Sequence, residues 1–231
     1  MFTNKNLMSS FFNTSVAKKF LVSVSGLFLI MFLATHLAVN LFLLWGQEAY
    51  NMAAHFMDTN PVIKIIEPML ALGFLLHITY SVWLTITNRN TRPQNYALVD
   101  QSETSTWPSR NMFVLGGLIL IFLVLHLSNF WAKMQFGDMS YIDYSGVMVK
   151  DAYTLVTEKF VIWWYVIIYV AGAVFLGLHL LHGFQSAFQT LGLSNQIWRK
   201  RLTLIGTVYS LIIAAGFSII PLYFIVNSFI N

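Results

Sequence analysis

Long apolar runs separated by short polar segments dominate the chain. A helix that spans a bilayer needs about 20 predominantly apolar residues. Five runs reach that length, with little proline and no strand-type alternation. They predict an all-α integral membrane protein, one domain over residues 1–231, whose five transmembrane helices span about residues 20–44, 62–87, 111–132, 161–190 and 202–229. We expect the first run to be retained, because it is longer than the roughly 7–15 apolar residues of a signal peptide.

Composition supports a membrane protein and excludes a soluble globule. The chain is 57% hydrophobic and only 10% charged, whereas soluble domains are roughly 45–50% apolar and about 25% charged. The sequence contains no cysteine, which excludes disulfides, iron–sulfur ligation and thiolate metal sites. The isoelectric point of about 9.3 is typical of basic loops on one side of a membrane, so no nucleic-acid partner is expected.

The basic residues predict the orientation. One set of alternate loops holds 9 of the 13 Lys and Arg residues: Lys5, Lys18, Lys19, Arg89, Arg92, Arg110, Arg199, Lys200 and Arg201. Because cytoplasmic loops carry the excess of Lys and Arg, we expect a multi-pass protein of a bacterial cytoplasmic membrane. Its N-terminus would be cytoplasmic and its C-terminus outside.

Histidines inside the apolar runs are the candidate chemistry. Five of the six histidines lie there: His36, His77, His126, His179 and His182. Ionisable residues at membrane depth are costly and mark functional sites by default. The first and third runs also share a register, since Gly26 precedes His36, and Gly116 precedes His126, by ten residues.

Depth sorts these histidines into two levels. At about 1.5 Å per helical residue, His36 and His126 lie roughly 21–22 Å from the predicted cytoplasmic helix ends, and His77 and His179 roughly 15 Å from them. His182 is one turn nearer the cytoplasm than His179, on the same face. Each level thus holds a pair of histidines from different helices.

Facing imidazoles in a helix bundle favour axial ligation of a haem iron. Two axial histidines leave no open position, so such a site is typical of electron transfer. Zinc fits less well, because its structural sites need four ligands at one level. The glycines in these helices could allow either close approach of a flat macrocycle or close helix–helix packing. The sequence leaves both roles open for each of them: Gly26, Gly73, Gly116, Gly117, Gly172, Gly177 and Gly183.

Several short motifs occur in order along the five runs. They are S-G-L-F and H-L around Gly26–Leu37, H-x3-S at His77, S-T-W at Ser105–Trp107, and H-x3-G at His179–Gly183 followed by Gly192. With these motifs the chain resembles, over nearly its whole length, the single-chain, five-helix, di-haem cytochrome b subunit of bacterial succinate dehydrogenases and fumarate reductases.

The resemblance implies specific ligands for two haem b groups. His36 and His126 would hold the distal haem, and His77 and His179 would hold the proximal haem. The family's spacing between the ligand and a glycine at the helix end, here Gly192, favours His179 over His182. The resemblance also places His182 and Ser23 near haem propionates. Some relatives carry a glutamate two residues before the fourth-helix ligand, but this chain has Gly177 there, so that proton pathway is not inferred.

The resemblance further implies partners and a reaction. A flavoprotein subunit and an iron–sulfur subunit would dock on the cytoplasmic side, and electrons would pass between them and a quinone, commonly menaquinone in the two-haem type. Glu67 and Lys64, on the outer side, are candidates for the quinone site, although Glu67 equally suits a helix N-terminus. Contact with membrane lipid is expected, and a dimer of the complex is left open.

Two other functions compete with this one. The chain could be the cytochrome b subunit of a formate dehydrogenase or hydrogenase, whose partner would be a molybdenum or nickel enzyme. It could also be a proton-coupled transporter with the histidines as a relay. No aspartate lies inside the apolar runs, which disfavours the transporter.

Overall fold

The computed structural model describes residues 14–90 and 106–230, and within them five helices are long and apolar enough to cross a membrane. They are Ser15–Leu41, extended by a 3-10 turn at Phe42–Leu44; Pro61–Asn90; Met112–His126, extended through a π-helical turn at Leu127–Trp131 and a short helix at Ala132–Phe136; Trp163–Thr190; and Gln196–Ile230. The predicted all-α bundle of five transmembrane helices is confirmed.

Polar side chains and one glycine set several helix ends. The Thr14 hydroxyl accepts a hydrogen bond from the Ala17 amide at the start of the first helix. The side-chain oxygens of Asn60 and Asn195 do the same for the second and fifth helices, accepting from amides in the first turn. Gly192 adopts a φ of +74° after the fourth helix, a conformation that glycine reaches without steric cost.

The fourth helix is the centre of the bundle. It packs against the fifth, third and first helices, whereas the second helix packs mainly against the first. Tyr209 of the fifth helix donates a hydrogen bond to the Ile30 carbonyl of the first. Many large side chains of the second and third helices remain exposed, as expected for surfaces that face lipid.

The two ends of the bundle differ in structure. One end, here called the hairpin end, carries the helices Gln47–Thr59 and Ala152–Phe160 and a two-stranded antiparallel sheet, β1 (Tyr141–Tyr144) and β2 (Val147–Lys150). The other, the basic end, includes the short helix Trp107–Arg110 and, among the described residues, the cations Lys18, Lys19, Arg89, Arg110, Arg199, Lys200 and Arg201. Which end faces the cytoplasm stays a prediction.

A short β-hairpin lies outside the five apolar runs and adds to the predicted all-α bundle. Tyr141 to Lys150 is a short alternating segment outside the apolar runs, and Ser145 and Gly146 both have positive φ, 55° and 89°. Two consecutive positive φ values are typical of the two-residue turn that joins hairpin strands. The Asp143 carboxylate accepts a hydrogen bond from the Gly146 amide and so supports the turn.

A buried polar network joins the elements of the hairpin end. The Asn51 side chain, which is fully buried, donates to Asp151 at 3.0 Å and accepts from the Tyr153 amide at 2.8 Å. Gln47 donates to both Asp151 carboxylate oxygens. Burial alone would raise the pKa of Asp151, but hydrogen bonds from Thr154, Asn51 and Gln47 outweigh it and lower that pKa.

Candidate functional site

Four of the five intramembrane histidines face each other in two pairs. The ring centroids of His36 and His126 are 5.7 Å apart, with ring planes at 86°. Those of His77 and His179 are 6.4 Å apart, with planes at 72°. These are the pairs that the depth count indicates. We call His36 and His126 the outer pair, because they lie nearer the hairpin end, and His77 and His179 the inner pair.

Each pair bridges two helices that do not pack closely together. The first helix packs against the second, fourth and fifth, and the third helix packs against the fourth. The first and third helices, which carry the outer pair, do not pack closely against each other. The same holds for the second and fourth helices, which carry the inner pair. The imidazoles therefore meet across a gap between helix backbones.

Aromatic rings surround the outer pair. Phe32 stacks on His36 at 5.2 Å between centroids, and Phe122 stacks on His126 at 5.9 Å. Three further rings, those of Phe217, Phe130 and Tyr169, lie within 6.0 Å of one histidine or the other. The orientation of each outer imidazole is therefore set mainly by ring packing.

A wide helical turn follows His126 directly. The π-helical turn Leu127–Trp131 is a type of distortion that recurs at functional sites. It contains Asn129, whose amide donates a hydrogen bond to the Tyr169 hydroxyl at 3.4 Å. On the opposite helix the Asn40 amide donates to the His36 carbonyl and lies 3.3 Å from His36 Nδ1.

In the inner pair, hydrogen bonds orient His77. Among the described residues, the only aromatic ring that contacts either inner imidazole is its partner imidazole. His77 Nδ1 lies 3.1 Å from the Val22 carbonyl of the first helix and 3.5 Å from the Ser25 hydroxyl. Only a protonated Nδ1 can donate to a carbonyl, which leaves Nε2 of a neutral imidazole with its lone pair. This is the arrangement found in metal-binding histidines.

Glycines lie against the inner imidazoles. A Cβ on Gly26 would come within 3.1 Å of His77 Cε1, and Cβ atoms on Gly116 and Gly183 would lie 3.9 and 4.0 Å from ring carbons of His179. Gly172 and Gly177 differ, because their Cβ atoms would collide with Phe122 and Ala214. Gly172 and Gly177 thus have the helix-packing role, whereas close approach of a macrocycle to Gly26, Gly116 and Gly183 stays a prediction.

His182 and Ser23 are not part of the inner pair. The structure places His179 opposite His77, and within the described residues no ring or hydrogen-bond contact involves the His182 side chain. Ser23 is buried, but Ser25, two residues along, is the serine within reach of His77. The propionate contacts inferred for His182 and Ser23 stay predictions.

Glu67 and Lys64 belong to a polar cluster at the hairpin end. Glu67 accepts a hydrogen bond from the Trp131 indole at 3.2 Å and lies 3.6 Å from Lys64. Lys64 in turn bonds Asp58 at 2.9 Å, and Lys150 of β2 contacts the same carboxylate at 3.1 Å. The Lys64 hydrogen bond, reinforced by Lys150, lowers the pKa of Asp58. Both candidates thus have partners, and their quinone role stays a prediction.

The two pairs fit a cofactor that needs two axial imidazoles. Two imidazoles on opposite sides of one metal, with bonds of about 2 Å to nitrogen, have ring centroids roughly 6 Å apart, as observed for both pairs. Nδ1 of His126 and of His179 is buried without a hydrogen-bond partner. The described residues contain no cluster of three or more His, Asp or Glu side chains able to hold a bare metal ion.

Fold and site together define a class: a five-helix membrane protein with two facing histidine pairs at different depths. Comparison with known proteins adds one relative. The succinate dehydrogenase cytochrome b558 subunit of Bacillus subtilis (strain 168) is 35% identical over 98 residues, which are 42% of this chain and 46% of that protein. The match spans about half the length of the relative. It confirms the resemblance to succinate dehydrogenase cytochrome b subunits.

Other comparisons do not extend this result. No family model and no solved structure matches the chain. Ser105 of the S-T-W motif, and Lys5 and Arg92 among the basic residues, lie outside the described residues.

The groups that orient the histidines were not predicted from the sequence. Ser25 was detectable, because it stands beside Gly26 and three residues after Val22, on the same helix face. Phe32 and Phe122 each precede an outer histidine by four residues, a spacing at which helical side chains meet. Tyr169 carries no such signal, since its contact with His126 depends on how the third and fourth helices are rotated.

Proposed function

We propose that the chain is the di-haem cytochrome b membrane subunit of a succinate:quinone oxidoreductase. It would carry electrons between a peripheral flavoprotein and iron–sulfur module and a membrane quinone, with menaquinone as the expected type. The observation that supports this most is the occurrence of two facing histidine pairs, drawn from four helices, at two depths. A transporter relay would need neither facing pairs nor a gap between their helices.

The histidines would act as the axial ligands of two haem b groups. His36 and His126 would hold the outer haem, and His77 and His179 the inner haem. An iron with two imidazole ligands exchanges single electrons and has no free position for oxygen. The Val22 carbonyl and the Ser25 hydroxyl hold the His77 ring so that Nε2 points away from the first-helix backbone.

The chain's own residues would divide the remaining work. Both outer imidazoles lie in an aromatic shell, which excludes water from the outer site. At the hairpin end, Glu67 and Lys64 are our candidates for contact with quinone. A carboxylate and an ammonium can exchange protons with a quinone that is being reduced, and both side chains are partly exposed.

The basic end would face the cytoplasm and the two peripheral partners. Its cations are the expected counterpart of an acidic docking surface on an iron–sulfur subunit, and the positive-inside rule assigns the same side. This orientation also places the inner pair nearer the electron donor and the outer pair nearer the quinone candidates.

The ratio of haem to polypeptide tests the proposal. The purified chain should contain two haem b groups by pyridine haemochrome assay. His36→Ala and His126→Ala should each remove one group, and the double variant should remove no more than one. His77→Ala and His179→Ala should remove the other in the same way.

Two histidines serve as matched controls. His55 lies in a helix of the hairpin end and His182 lies one turn from His179, so His55→Ala and His182→Ala should each retain both haems. A colourless wild-type protein would refute the proposal and favour transport. A haem lost with His182→Ala but kept with His179→Ala would reassign the inner ligand.

Co-purification identifies the partner. A flavoprotein and an iron–sulfur protein should accompany the chain when it is isolated in mild detergent from its native membrane. A molybdenum or nickel enzyme in their place would assign the chain to a formate dehydrogenase or hydrogenase.

A further inference from the structure

A polar cavity lies at the basic end, away from both histidine pairs. It has a volume of about 250 Å³ and is formed where the fourth helix ends and the fifth begins. Its lining consists of Gln185, Gln189, Ser194, Arg199, Leu202 and Thr203. None of these residues belongs to the site described above.

Several polar groups that line the cavity have no partner among the residues that the structure describes. Within the described residues, no hydrogen bond or ion pair is made by the side chains of Gln185, Gln189 or Arg199. Thr203 is satisfied, because its hydroxyl donates to the Arg199 carbonyl at 2.8 Å. Leu202 is buried and forms an apolar floor. Two amides and a guanidinium therefore line the same space with unused donors.

The charges of the residues around the cavity favour an anionic ligand. No acidic residue follows Glu158 in the chain, so neither helix that forms the cavity offers a counter-ion to Arg199. All seven acidic residues in the described part lie at the hairpin end: Glu48, Asp58, Glu67, Asp138, Asp143, Asp151 and Glu158. Guanidinium and amide N–H groups match the geometry of phosphate oxygens.

The surroundings of the cavity indicate that the phosphate belongs to a lipid. Trp198, half exposed, precedes Arg199, and tryptophan marks the interface between bilayer and water. Leu193 precedes Ser194 of the lining, and Ile197 is two residues before Arg199. They are 57% and 67% exposed and would contact acyl chains. Basic pockets between transmembrane helices are known to receive anionic lipid headgroups.

We propose that this cavity is a binding site for the phosphate of an anionic phospholipid. Arg199 is the ionic partner of the phosphate, and Gln185 and Gln189 donate hydrogen bonds to it. The site is separate from the haem ligands, and it removes Arg199 from the cations proposed above to face an iron–sulfur subunit.

Binding of phosphatidylglycerol to the purified full-length chain in neutral detergent tests the site. A fluorescent short-chain phosphatidylglycerol is titrated against Arg199→Gln and against Lys200→Gln, which removes the same charge from a neighbouring residue that does not line the cavity. At about 1 M salt, where the Debye length is only about 3 Å, general attraction between charges is screened. Arg199→Gln should still weaken binding about tenfold or more, as for a lost charged hydrogen bond.

Further variants separate the contribution of charge to lipid binding from that of hydrogen bonding. At the same high salt, Lys200→Gln should stay within about twofold of wild type, because a Lys near the surface acts mainly through screened attraction. Gln189→Leu, which leaves the charge unchanged, should weaken binding about threefold. If Arg199→Gln does not fold, judged by helical circular dichroism, Arg199→Lys replaces it and should show an intermediate loss, since its charge remains but its bidentate geometry is gone.

Three results would overturn the proposal. Equal losses in Arg199→Gln and Lys200→Gln at high salt would mean a diffuse charge effect without a site. Displacement of the lipid by millimolar inorganic phosphate would assign the cavity to free phosphate. Equal affinity for phosphatidylcholine and phosphatidylglycerol would show that the cavity does not select anionic lipid, and would leave an acidic protein surface as its partner.

Discussion

The outer and inner histidine pairs have similar separations but different surroundings. Five aromatic rings lie within 6.0 Å of the outer imidazoles. The inner imidazoles instead contact a backbone carbonyl, a serine hydroxyl and glycines of neighbouring helices. One bundle thus presents the same two-imidazole motif mainly by ring packing at one depth. At the other depth it uses hydrogen bonds to His77 and small neighbouring residues.

The two histidine pairs differ because different residues surround them at the two depths of the bundle. The hairpin end provides a buried cluster, including Phe130, Phe160 and Tyr169, that continues from the outer helices into the bundle. Among the described residues no aromatic ring other than the partner imidazole contacts an inner imidazole, and there the first helix approaches closely through Gly26. We therefore expect the outer pair to depend on the hairpin end, and the inner pair to depend on small residues in the spanning helices.

The largest effect is expected at Gly26. In Gly26→Val, Cβ would come within 3.1 Å of His77 Cε1, and the branches of valine would displace the ring. The variant should lose the inner haem and keep the outer one, giving about one haem per chain by pyridine haemochrome assay. Gly117→Val is the control, because a Cβ there meets nothing within 4 Å.

Combination with ligand variants shows which haem is lost. Gly26→Val with His77→Ala should still contain one haem, since both changes act on the same pair, whereas Gly26→Val with His36→Ala should contain none. Retention of two haems in Gly26→Val would contradict the role assigned to this close contact.

Part of this site was predictable from sequence because it depends on depth alone. The rise of a helix fixes how far a residue lies along the bundle, so the level of His36 and the ten-residue register from Gly26 could be counted. The rotation of a helix about its axis is set by packing against its neighbours. For that reason the contact between Ser25 and His77 could not be counted from the sequence.

The hairpin end was less predictable for a different reason. Its helices and strands are short, and none has the long apolar run that identifies a spanning helix. The alternation of Tyr141–Tyr144 and Val147–Lys150 about Ser145–Gly146 was present in the sequence, but four residues per strand give a weak signal. Its stability comes from contacts distant in sequence, such as that between Asn51 and Asp151.

The second largest effect is expected at Asn51. Asn51→Ala removes a fully buried side chain and leaves the Asp151 carboxylate and the Tyr153 amide short of a partner. The cost should be about 2–4 kcal/mol, measured as a lower thermal stability of the hairpin end. Loss of haem on heating should then begin at the outer pair, whereas a variant that first released the inner haem would contradict this link.

Low pH should also lower the thermal stability of the hairpin end. The pKa values of Asp58 and Asp151 are lowered in the folded protein. Their contribution to stability is therefore complete above the unfolded pKa of about 3.9 and is lost as the pH falls through the folded values. Thermal melting followed from pH 7 to below about 4 should show this loss in wild type. The double variant Asp58→Asn, Asp151→Asn should be less stable at neutral pH and show less further loss.

The smallest effect is expected at Ser25. Its hydroxyl lies 3.5 Å from His77 Nδ1 and also donates to the Leu21 carbonyl at 2.7 Å, so its contact with the imidazole is secondary to that of the Val22 carbonyl. Ser25→Ala should keep both haems and change only the inner one, as a small shift in its midpoint potential by redox titration. Phe122→Leu is the counterpart at the outer pair, where it should alter the outer haem alone. If either variant shifted the midpoint potentials of both haems, the surroundings of the two pairs would be coupled. The contrast between ring packing and hydrogen bonding would then not distinguish the two sites.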